Sequence, residues 1–391
     1  MIKKKIAILG STGSIGKTLI NIIKKDKKNF EIILLSADAN YKELLKQAKY
    51  FKVKNLIITN QESFLKIKKD KYAKNIKIFN SFNSFKKIFK RKVDYTMSAI
   101  TGIQGLEPTI EIIKYSKKIA IANKEAIICG WNLIEKNLKK NKTQFVPVDS
   151  EHFSIWYALR NTKINLIEKI YITASGGPFL NRPLSKLKYA NIKQAIKHPN
   201  WKMGKKISVD SATLMNKIFE VIEAKKIFNI PYKKIKILIH PKSYIHAIIK
   251  FKNGFTKIIA HETTMKIPIF NTLYNNKSYY DSNFSSLNLN ILNNLNFNKV
   301  DHLRYPVIKL LNTLPNKNTL FETVIVSAND KFVELFLDKK ILFTSIQKEL
   351  FKIINLKKFK KLKKVNPKNI KDIIELNDYV RLKISKKVYK S

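Results

Sequence analysis

Two carboxylates, a hydroxyl and an imidazole lie within four consecutive residues, in the segment Asp149-Ser150-Glu151-His152. This cluster is unusual because the chain has 77 Lys and Arg residues against only 28 Asp and Glu residues. If an extended strand over 144–148 continues through the segment, the side chains of Asp149 and Glu151 project to the same face. Convergent carboxylates bind hard cations, so the segment predicts a metal site, whereas the alternative is a solvated strand end.

A glycine-rich loop, Gly10-Ser11-Thr12-Gly13-Ser14-Ile15-Gly16, follows the first strand-like run and leads into a helix-like run. Glycines let the backbone approach phosphates, and a helix N-terminus offers N–H groups and a favourable dipole. The loop therefore predicts dinucleotide binding, whereas the alternative is a tight turn without a ligand.

After the second strand-like run, Asp38 stands where an acidic side chain favours the ribose 2′-hydroxyl of NAD and a basic side chain favours the 2′-phosphate of NADP. Asp38 thus argues for NAD, or at least against strong NADP selection.

Further polar residues stand where they could meet a substrate. Lys124 follows a predicted parallel strand, at the sheet edge that binds ligands, and is a candidate partner for an anion or a carbonyl. Asn216 and Glu220 share one face of a predicted helix, with Lys217 beside them, so Glu220 could supply a third carboxylate. The alternatives are a surface lysine and a solvated salt bridge.

Two segments offer hydroxyls and backbone N–H groups that suit a phosphate: Ser175-Gly176-Gly177-Pro178, and Asp210-Ser211-Ala212-Thr213, which we place at a helix start. Either could equally be an ordinary turn or cap. Between them, the segment from His198 to Gly204 combines an imidazole, an indole and a flexible glycine, as suits a lid that excludes water. For His246, on a predicted strand, a buried structural role is the simplest interpretation.

Strand-like and amphipathic helix-like runs alternate from the N-terminus to about Val148, which is typical of a parallel sheet covered by helices. The strands are predicted over 6–9, 32–35, 56–59, 76–79, 94–97, 119–121, 169–173, 236–239, 244–251 and 256–260. The middle of the chain has a Gly- and Pro-rich loop, a helix predicted over 212–228 and a hairpin at Asn253-Gly254, which favours an α+β domain. After Tyr305 the pattern is helical.

These patterns predict an α/β protein. Its parts are a Rossmann-like, doubly wound dinucleotide-binding domain over 1–148, a central α+β catalytic domain that binds metal and substrate over 149–275, a connector over 276–304 and a C-terminal helical domain over 305–391.

The formal charge of +49 invites a nucleic-acid or membrane-surface interpretation, but only five of the basic residues are arginines. Specific phosphate and base recognition tends to favour Arg, so we expect no dedicated nucleic-acid binding. Cys129 is the single cysteine, which excludes an intrachain disulfide and a cysteine-rich zinc site. No apolar run is long enough to span a membrane. We therefore expect a soluble, cytoplasmic protein that binds neither nucleic acid nor membrane.

Six motifs in one order resemble the 1-deoxy-D-xylulose 5-phosphate reductoisomerase family over nearly the full length. They are GSTGSIG, ANKE, PVDSEH, SGGPF, HPNWKMGKKISVDSAT and MNK-x-x-E. The resemblance implies a homodimeric, NADPH-dependent oxidoreductase that requires a divalent metal, Mg²⁺ or Mn²⁺, with Co²⁺ as a further candidate. Such an enzyme isomerises 1-deoxy-D-xylulose 5-phosphate and reduces it to 2-C-methyl-D-erythritol 4-phosphate in non-mevalonate isoprenoid synthesis.

The resemblance also implies site residues. The metal ligands are Asp149, Glu151 and Glu220. The substrate contacts are Lys124, Ser150, Glu151, Ser175, His198, Trp201, Met203, Ser211, Asn216, Lys217 and Glu220, with Trp201 and Met203 in the closing lid. The cofactor positions are Thr12, Gly13, Ser14, Ile15, Asn40, Asn123, Glu125 and Gly204. The catalytic group comprises Lys124, Glu151, His152, His198 and His246.

The chain departs from the family pattern at three places. Asp38-Ala39 replaces a Gly followed by a basic or polar residue, Ile218 replaces a small Gly, and 261–266 differs from the usual Gly-Glu-Pro-Asp-Met-Arg. Because Asp38 is acidic, we expect NADH and NADPH to differ less here than in most relatives. The alternative functions are another NAD(P)-dependent dehydrogenase of a small phosphorylated substrate, and a basic nucleic-acid-binding protein.

Overall fold

The computed structural model of the chain describes residues 3–274 and 289–388. These residues form two compact units. The first unit contains residues up to Ala126, Asn132–Asp149 and the segment that begins at Met265. The second unit contains Ile127–Trp131, Ser150–Thr264 and the described residues from 289 onward. The predicted domain boundary at 275 and connector residues 276–288 lie outside the described residues, and the predicted domain division remains a prediction.

The strands have the following bounds. They are β1 (Lys4–Leu9), β2 (Phe30–Ala37), β3 (Asn55–Ile58), β4 (Lys77–Phe79), β5 (Tyr95–Ser98), β6 (Lys118–Ile121), β7 (Gln144–Pro147), β8 (Ile167–Ala174), β9 (Ile235–Ile239), β10 (Ile245–Phe251) and β11 (Thr256–Ala260). Every strand predicted from the sequence overlaps one of them.

The α-helices have the following bounds. They are α1 (Ser14–Lys25), α2 (Tyr41–Phe51), α3 (Gln61–Lys68), α4 (Phe85–Ile88), α5 (Leu106–Ile113), α6 (Lys124–Lys140), α7 (Ser150–Ala158), α8 (Ile192–Ala195), α9 (Lys205–Ala212), α10 (Met215–Phe228), α11 (Lys266–Tyr274), α12 (Leu289–Asn293), α13 (Leu320–Leu337), α14 (Phe343–Ile354), α15 (Lys357–Lys360) and α16 (Ile370–Val388).

The first unit contains a seven-stranded sheet in the order β4-β3-β2-β1-β5-β6-β7. All neighbouring strands in it are parallel. Ile6, Ile8 and Leu35 are fully buried, as expected for a parallel sheet that is covered on both faces. The strand order reverses between β1 and β5, and ligands bind at the carboxyl ends of strands beside such a switch point. The predicted doubly wound α/β class is confirmed.

The second unit contains a four-stranded sheet in the order β11-β10-β8-β9. β10 is antiparallel to β8 and β11, whereas β8 and β9 are parallel. Ile155 of α7 and Val221 of α10 belong to one buried cluster with Ile170 and Ile172 of β8. This apolar contact fixes both helices on the sheet, and both helices carry predicted site residues.

The predicted strand course through Asp149 and Glu151 is wrong. β7 ends at Pro147 and α7 begins at Ser150, so Asp149 precedes a helix and Glu151 lies in its first turn. An acid in the first turn of a helix interacts favourably with the helix dipole. The two carboxylates therefore do not alternate along a strand.

The helix predicted over 212–228 is also wrong at its start. α9 ends at Ala212 and α10 begins at Met215, because Leu214 between them has a left-handed backbone with φ 63°. Gln347 of α14 donates a hydrogen bond to the Thr213 carbonyl at 3.0 Å, which stabilises the break. Ser211 therefore lies at the C-terminal end of α9 and not at a helix start.

The helices of the C-terminal segment hold α9 in place. Asn329 of α13 donates a hydrogen bond through Nδ2 to Asp210 Oδ1 at 2.8 Å. Lys206 pairs with the other Asp210 oxygen at 3.0 Å and with Asp330 at 2.9 Å. Because Asp210 precedes Ser211, α13 positions a predicted phosphate contact. Within the described part of the chain, none of the helices combines the length and the apolar character that crossing a membrane requires.

Candidate functional site

The glycine loop after β1 has the geometry that an anion site at a helix N-terminus needs. Gly10 has φ +79°, and a Cβ there would lie 2.7 Å from the Ala99 carbonyl oxygen. A Cβ on Gly16 would lie 2.4 Å from the Gly10 oxygen, so the tight turn requires glycine at both positions. At Gly13, the N-cap of α1, no side chain makes a capping hydrogen bond, and the first turn holds no acid. Thr12, Gly13, Ser14 and Ile15 thus lie where a phosphate can meet backbone N–H groups.

Other predicted cofactor residues cap helices in the first unit. Asn40 accepts the Glu43 N–H at the start of α2. Asn123 Oδ1 accepts a hydrogen bond from the Ala126 N–H at 2.9 Å. Asn123 Nδ2 donates hydrogen bonds to the carbonyl oxygens of Ile100, at 2.5 Å, and Gly102, at 2.8 Å. The Asn123 amide therefore fastens the loop after β5 to α6, whose first turn carries Glu125.

Lys124 and Asp149 form an ion pair at the carboxyl edge of the first sheet. Lys124 Nζ lies 2.9 Å from Asp149 Oδ2, and the two side chains are only 9% and 18% exposed. Lys124 begins α6 just after β6, and Asp149 follows β7, the neighbouring parallel strand. Lys124 is therefore a largely buried, charge-paired residue and not one of the many surface lysines.

In the second unit, two carboxylates converge on one ammonium group. Lys217 Nζ lies 2.7 Å from Glu151 Oε1 and 2.6 Å from Glu220 Oε2. Asn216 donates to the other Glu220 oxygen at 2.5 Å, and Ser150 Oγ donates to Glu151 Oε2. Glu151 is 8% exposed and Glu220 is 1% exposed, so both need a compensating cation. Two carboxylates that already share one cationic group are a donor set that fits a hard divalent metal.

His152 lies behind this pair. Its Nε2 donates to the Glu220 carbonyl at 2.9 Å, and its Nδ1 faces Glu223 Oε2 at 3.4 Å. Both side chains are buried. His152 therefore links α7 to the turn of α10 that carries Glu220, and this predicted catalytic residue fixes the position of a carboxylate.

His246 on β10 is buried, as the sequence indicated, but it also faces Glu151. Its Nδ1 lies 3.8 Å from Glu151 Oε1, and its Nε2 donates to the His261 carbonyl at 3.1 Å. The His261 ring stacks on the His246 ring with a centroid distance of 3.7 Å, and Trp201 meets the His246 ring edge-on at 6.0 Å. No sequence motif marks His261 as a site residue, although it lies in a segment that departs from the family pattern. Burial, and then the nearby His246, lowers the pKa of His261 to about 3.

His198 and Ser175 form a second polar group in this unit. Nδ1 of His198 accepts the N–H groups of Asn200 and Trp201 at 3.1 and 3.0 Å, so Nε2 carries the proton. Nε2 then donates to Ser175 Oγ at 3.0 Å, and the Gly177 N–H donates to the same oxygen at 3.0 Å. Burial, and then the Lys217 charge, lowers the pKa of His198 to about 4. His198 is therefore neutral at pH 7.

The remaining predicted contacts lie in the same unit. Gly177 has φ +69°, and a Cβ there would lie 2.8 Å from the Ser211 carbonyl oxygen, so the Ser175 loop packs against the end of α9. Trp201 and Met203 lie in the segment between α8 and α9, and Gly204 is the N-cap of α9. A Cβ on Gly204 would meet no atom within 4 Å, so packing alone does not require glycine there.

The first unit has a parallel sheet with a glycine loop at its switch point, and the second, α+β unit has paired carboxylates. These features define an enzyme built on a dinucleotide-binding fold. Family models match residues 6–130 as 1-deoxy-D-xylulose 5-phosphate reductoisomerase, and residues 145–228 and 261–383 as C-terminal domains of that enzyme. A relative of the same name from Pelagibacter ubique is 60% identical over 98% of this chain and 99% of its own length. The chain belongs to the 1-deoxy-D-xylulose 5-phosphate reductoisomerase family, and the predicted enzyme class, an oxidoreductase, is confirmed.

Solved structures agree with this assignment. The Zymomonas mobilis reductoisomerase in complex with NADPH has a TM-score of 0.85 at 29% identity and covers 99% of both chains. A reductoisomerase in complex with NADPH, fosmidomycin and magnesium has a TM-score of 0.90 at 28% identity and covers 99% of this chain and 98% of its own.

The proton affinity of His198 makes stability depend on pH. In the unfolded chain the ring takes up a proton near its ordinary pKa of 6.5, whereas in the folded chain it does so only near 4. The unfolded state therefore binds more protons between these values, so stability falls as pH falls from 6.5 to 4 and is unaffected by His198 above 6.5. An NMR titration of the His198 ring is expected to give a midpoint near 4.

His198→Asn keeps an acceptor for the two backbone N–H groups and removes the titrating ring. Chemical unfolding of this variant is expected to show a smaller loss of stability between pH 6.5 and 4 than the native chain. An NMR midpoint at or above 6.5 in the native chain contradicts this account.

The stacked ring of His261 is expected to hold the His246 ring in place. An aromatic pair contributes about 0.5–1.5 kcal/mol, so His261→Ala is expected to lower reductoisomerase kcat up to about tenfold. His261→Phe keeps a stacked ring and is expected to retain most of the kcat. Equal kcat values in the native chain and in a folded His261→Ala variant, checked by circular dichroism, contradict the positioning role.

Proposed function

We propose that this protein catalyses the NADPH-dependent isomerisation and reduction of 1-deoxy-D-xylulose 5-phosphate to 2-C-methyl-D-erythritol 4-phosphate, in non-mevalonate isoprenoid synthesis, with a divalent metal. The observation that carries the proposal is the pair Glu151 and Glu220 around Lys217, on a chain whose family match covers nearly its full length. Relatives of this family bind NADPH, magnesium and fosmidomycin.

The first unit supplies the dinucleotide site in this proposal. Thr12, Gly13, Ser14 and Ile15 hold the pyrophosphate, because the turn admits close backbone approach and α1 begins there. Further cofactor contacts come from Asn40, Asn123 and Glu125 in this unit and from Gly204. The Asn123 side chain is hydrogen-bonded to Ile100, Gly102 and Ala126. In this proposal Asn123 therefore contacts the cofactor through its backbone. NADPH supplies the hydride for the reduction.

The metal ligands in this proposal are Asp149, Glu151 and Glu220. Asp149 lies two residues before Glu151, and His152 fixes the α10 turn that carries Glu220. A Mg²⁺, Mn²⁺ or Co²⁺ ion held by these residues would act as a Lewis acid towards the carbonyl and hydroxyl oxygens of the substrate. Ser150, Asn216 and Lys217 orient the ligand carboxylates through the hydrogen bonds described above.

The phosphate of the substrate is proposed to bind at Ser175, His198, Ser211 and Asn216. Ser175 Oγ accepts hydrogen bonds from His198 Nε2 and from the Gly177 N–H, so its own proton remains to be donated to a phosphate oxygen. His198 stays neutral, which fixes it as a donor through Nε2. Trp201 and Met203 are proposed to cover the bound substrate and exclude water.

The remaining proposed catalytic residues act near the carboxylates. Lys124 is ion-paired with Asp149 and can donate a hydrogen bond to a substrate oxygen. The His246 ring, held by His261 and Trp201, presents Nδ1 towards Glu151. Both residues therefore have fixed positions before a substrate binds.

NADPH oxidation with 1-deoxy-D-xylulose 5-phosphate, with and without Mg²⁺, tests this function. The native chain is expected to lose activity when a chelator removes the metal and to recover it with Mg²⁺. Glu151→Gln removes the charge of one ligand at nearly constant size and is expected to lower kcat/KM by about 100-fold or more. Even the mutation of residues that only hydrogen-bond to metal ligands typically lowers metal affinity or activity about 10–100-fold.

Glu168→Gln is the matched control. Glu168 lies on β8, has a side chain that is 36% exposed and pairs with Lys250, so native activity is expected. Full activity of Glu151→Gln refutes the proposed metal site, and metal-independent turnover of the native chain refutes the proposed mechanism.

We also propose that the protein is a cytoplasmic homodimer. The edge strand β11 carries Ile258, 51% exposed, beside Phe255, 73% exposed, and an apolar sheet edge favours association. The single cysteine, Cys129, is buried and suits a reducing compartment. Sedimentation of the native chain is expected to give twice the 45.5 kDa chain mass, and a monomer at micromolar concentration contradicts the proposal.

A further inference from the structure

The loop after β2 places one acid beside the glycine loop. The Ser11 N–H donates to the Ser36 carbonyl at 2.8 Å, and the Gly10 N–H donates to Ser36 Oγ at 3.0 Å. The glycine loop and the end of β2 are therefore bonded to each other. Asp38 follows the last residue of β2 and is exposed at this edge of the sheet.

The Asp38 carboxylate is held in one orientation. Thr59, just after β3, donates through its hydroxyl to Asp38 Oδ1 at 2.8 Å. The backbone supports this contact, because the Asn60 N–H donates to the Asp38 carbonyl at 3.2 Å. Thr59 uses one carboxylate oxygen and leaves Oδ2 to accept a hydrogen bond from another group, such as a ribose hydroxyl.

The surroundings of Asp38 do not suit the 2′-phosphate of NADPH. Ala39 offers no polar side chain, and Asn40 uses its side-chain oxygen to cap α2. The first turn of α2 adds another acid, Glu43, whereas Lys42 is the one cation in the sequence from 36 to 45 and is exposed. A 2′-phosphate here meets a fixed carboxylate, and like charges a few ångströms apart repel even in water.

We infer that Asp38, oriented by Thr59, determines cofactor specificity by accepting a hydrogen bond from the ribose 2′-hydroxyl of NADH. This chain therefore binds NADH about as well as NADPH. An acid at the end of the second strand of a dinucleotide fold recognises the ribose diol in this way. The inference rests on the proposed function, because it concerns the ribose end of the same dinucleotide site. The structures that hold NADPH are only 28% and 29% identical to this chain, so a different ribose contact is compatible with the shared fold.

Equilibrium binding of NADPH and NADH to the full chain, followed by calorimetry, tests the inference without turnover. In the native chain, the Kd values for NADPH and NADH are expected to lie within about tenfold of each other. Asp38→Asn keeps the shape and the acceptor for Thr59 but removes the charge, so it is expected to tighten NADPH binding about tenfold and leave NADH binding within a few-fold. Thr59→Val frees the carboxylate and is expected to weaken NADH binding a few-fold.

Glu111→Gln is the matched control. It removes one negative charge from the same unit, on α5, where Glu111 pairs with Lys114, and is expected to change neither Kd. A native preference for NADPH above about 100-fold that Asp38→Asn leaves unchanged overturns the inference while the proposed function stands. Binding of neither dinucleotide by the folded native chain overturns the proposed function, and the inference with it.

Discussion

The charge arrangement around Lys217 is the interaction on which the chemistry of the second unit depends. Two carboxylates, from Glu151 and Glu220, are buried beside this one ammonium group. Leaving either carboxylate without a cation in this environment costs several kcal/mol, so the helices that carry them have to be held firmly. The buried apolar cluster shared by α7, α10 and β8 supplies that rigidity, and the bond from His152 to the Glu220 carbonyl fixes the turn. The polar group is therefore a consequence of apolar packing as much as of charge.

The first unit depends on a different constraint, which is the close approach of backbone segments around the glycine loop. Gly10 and Gly16 allow the turn after β1 to lie so close to Ala99 and Ser11 that no side chain fits there. The same parallel sheet brings the ends of neighbouring strands to one edge, which is why Lys124 and Asp149 meet although they are 25 residues apart. Apart from Lys124 and Lys217, which are largely buried, the 72 lysines of the chain have little part in these arrangements.

The sequence predicted the parallel sheet well, because β-branched runs that are buried on both faces leave a clear pattern. It also marks Glu151, Glu220 and the glycine loop as candidate site residues, since the residue types and the family motifs agree. It failed where tertiary contacts decide local structure. The left-handed Leu214 is supported by Gln347, more than 100 residues away, and no local pattern reveals it. The local pattern predicts an extended segment where α7 begins at Ser150, and the stack of His261 on His246 depends on how β10 and the end of β11 pair.

A bound Mn²⁺ ion can be located by anomalous diffraction in crystals of the full chain, and its affinity can be measured by titration of the native protein and of Glu220→Gln. We expect one Mn²⁺ per chain, with Asp149, Glu151 and Glu220 as its protein ligands, and binding at least about tenfold weaker in the variant. An anomalous peak elsewhere, or native affinity in Glu220→Gln, contradicts this metal site.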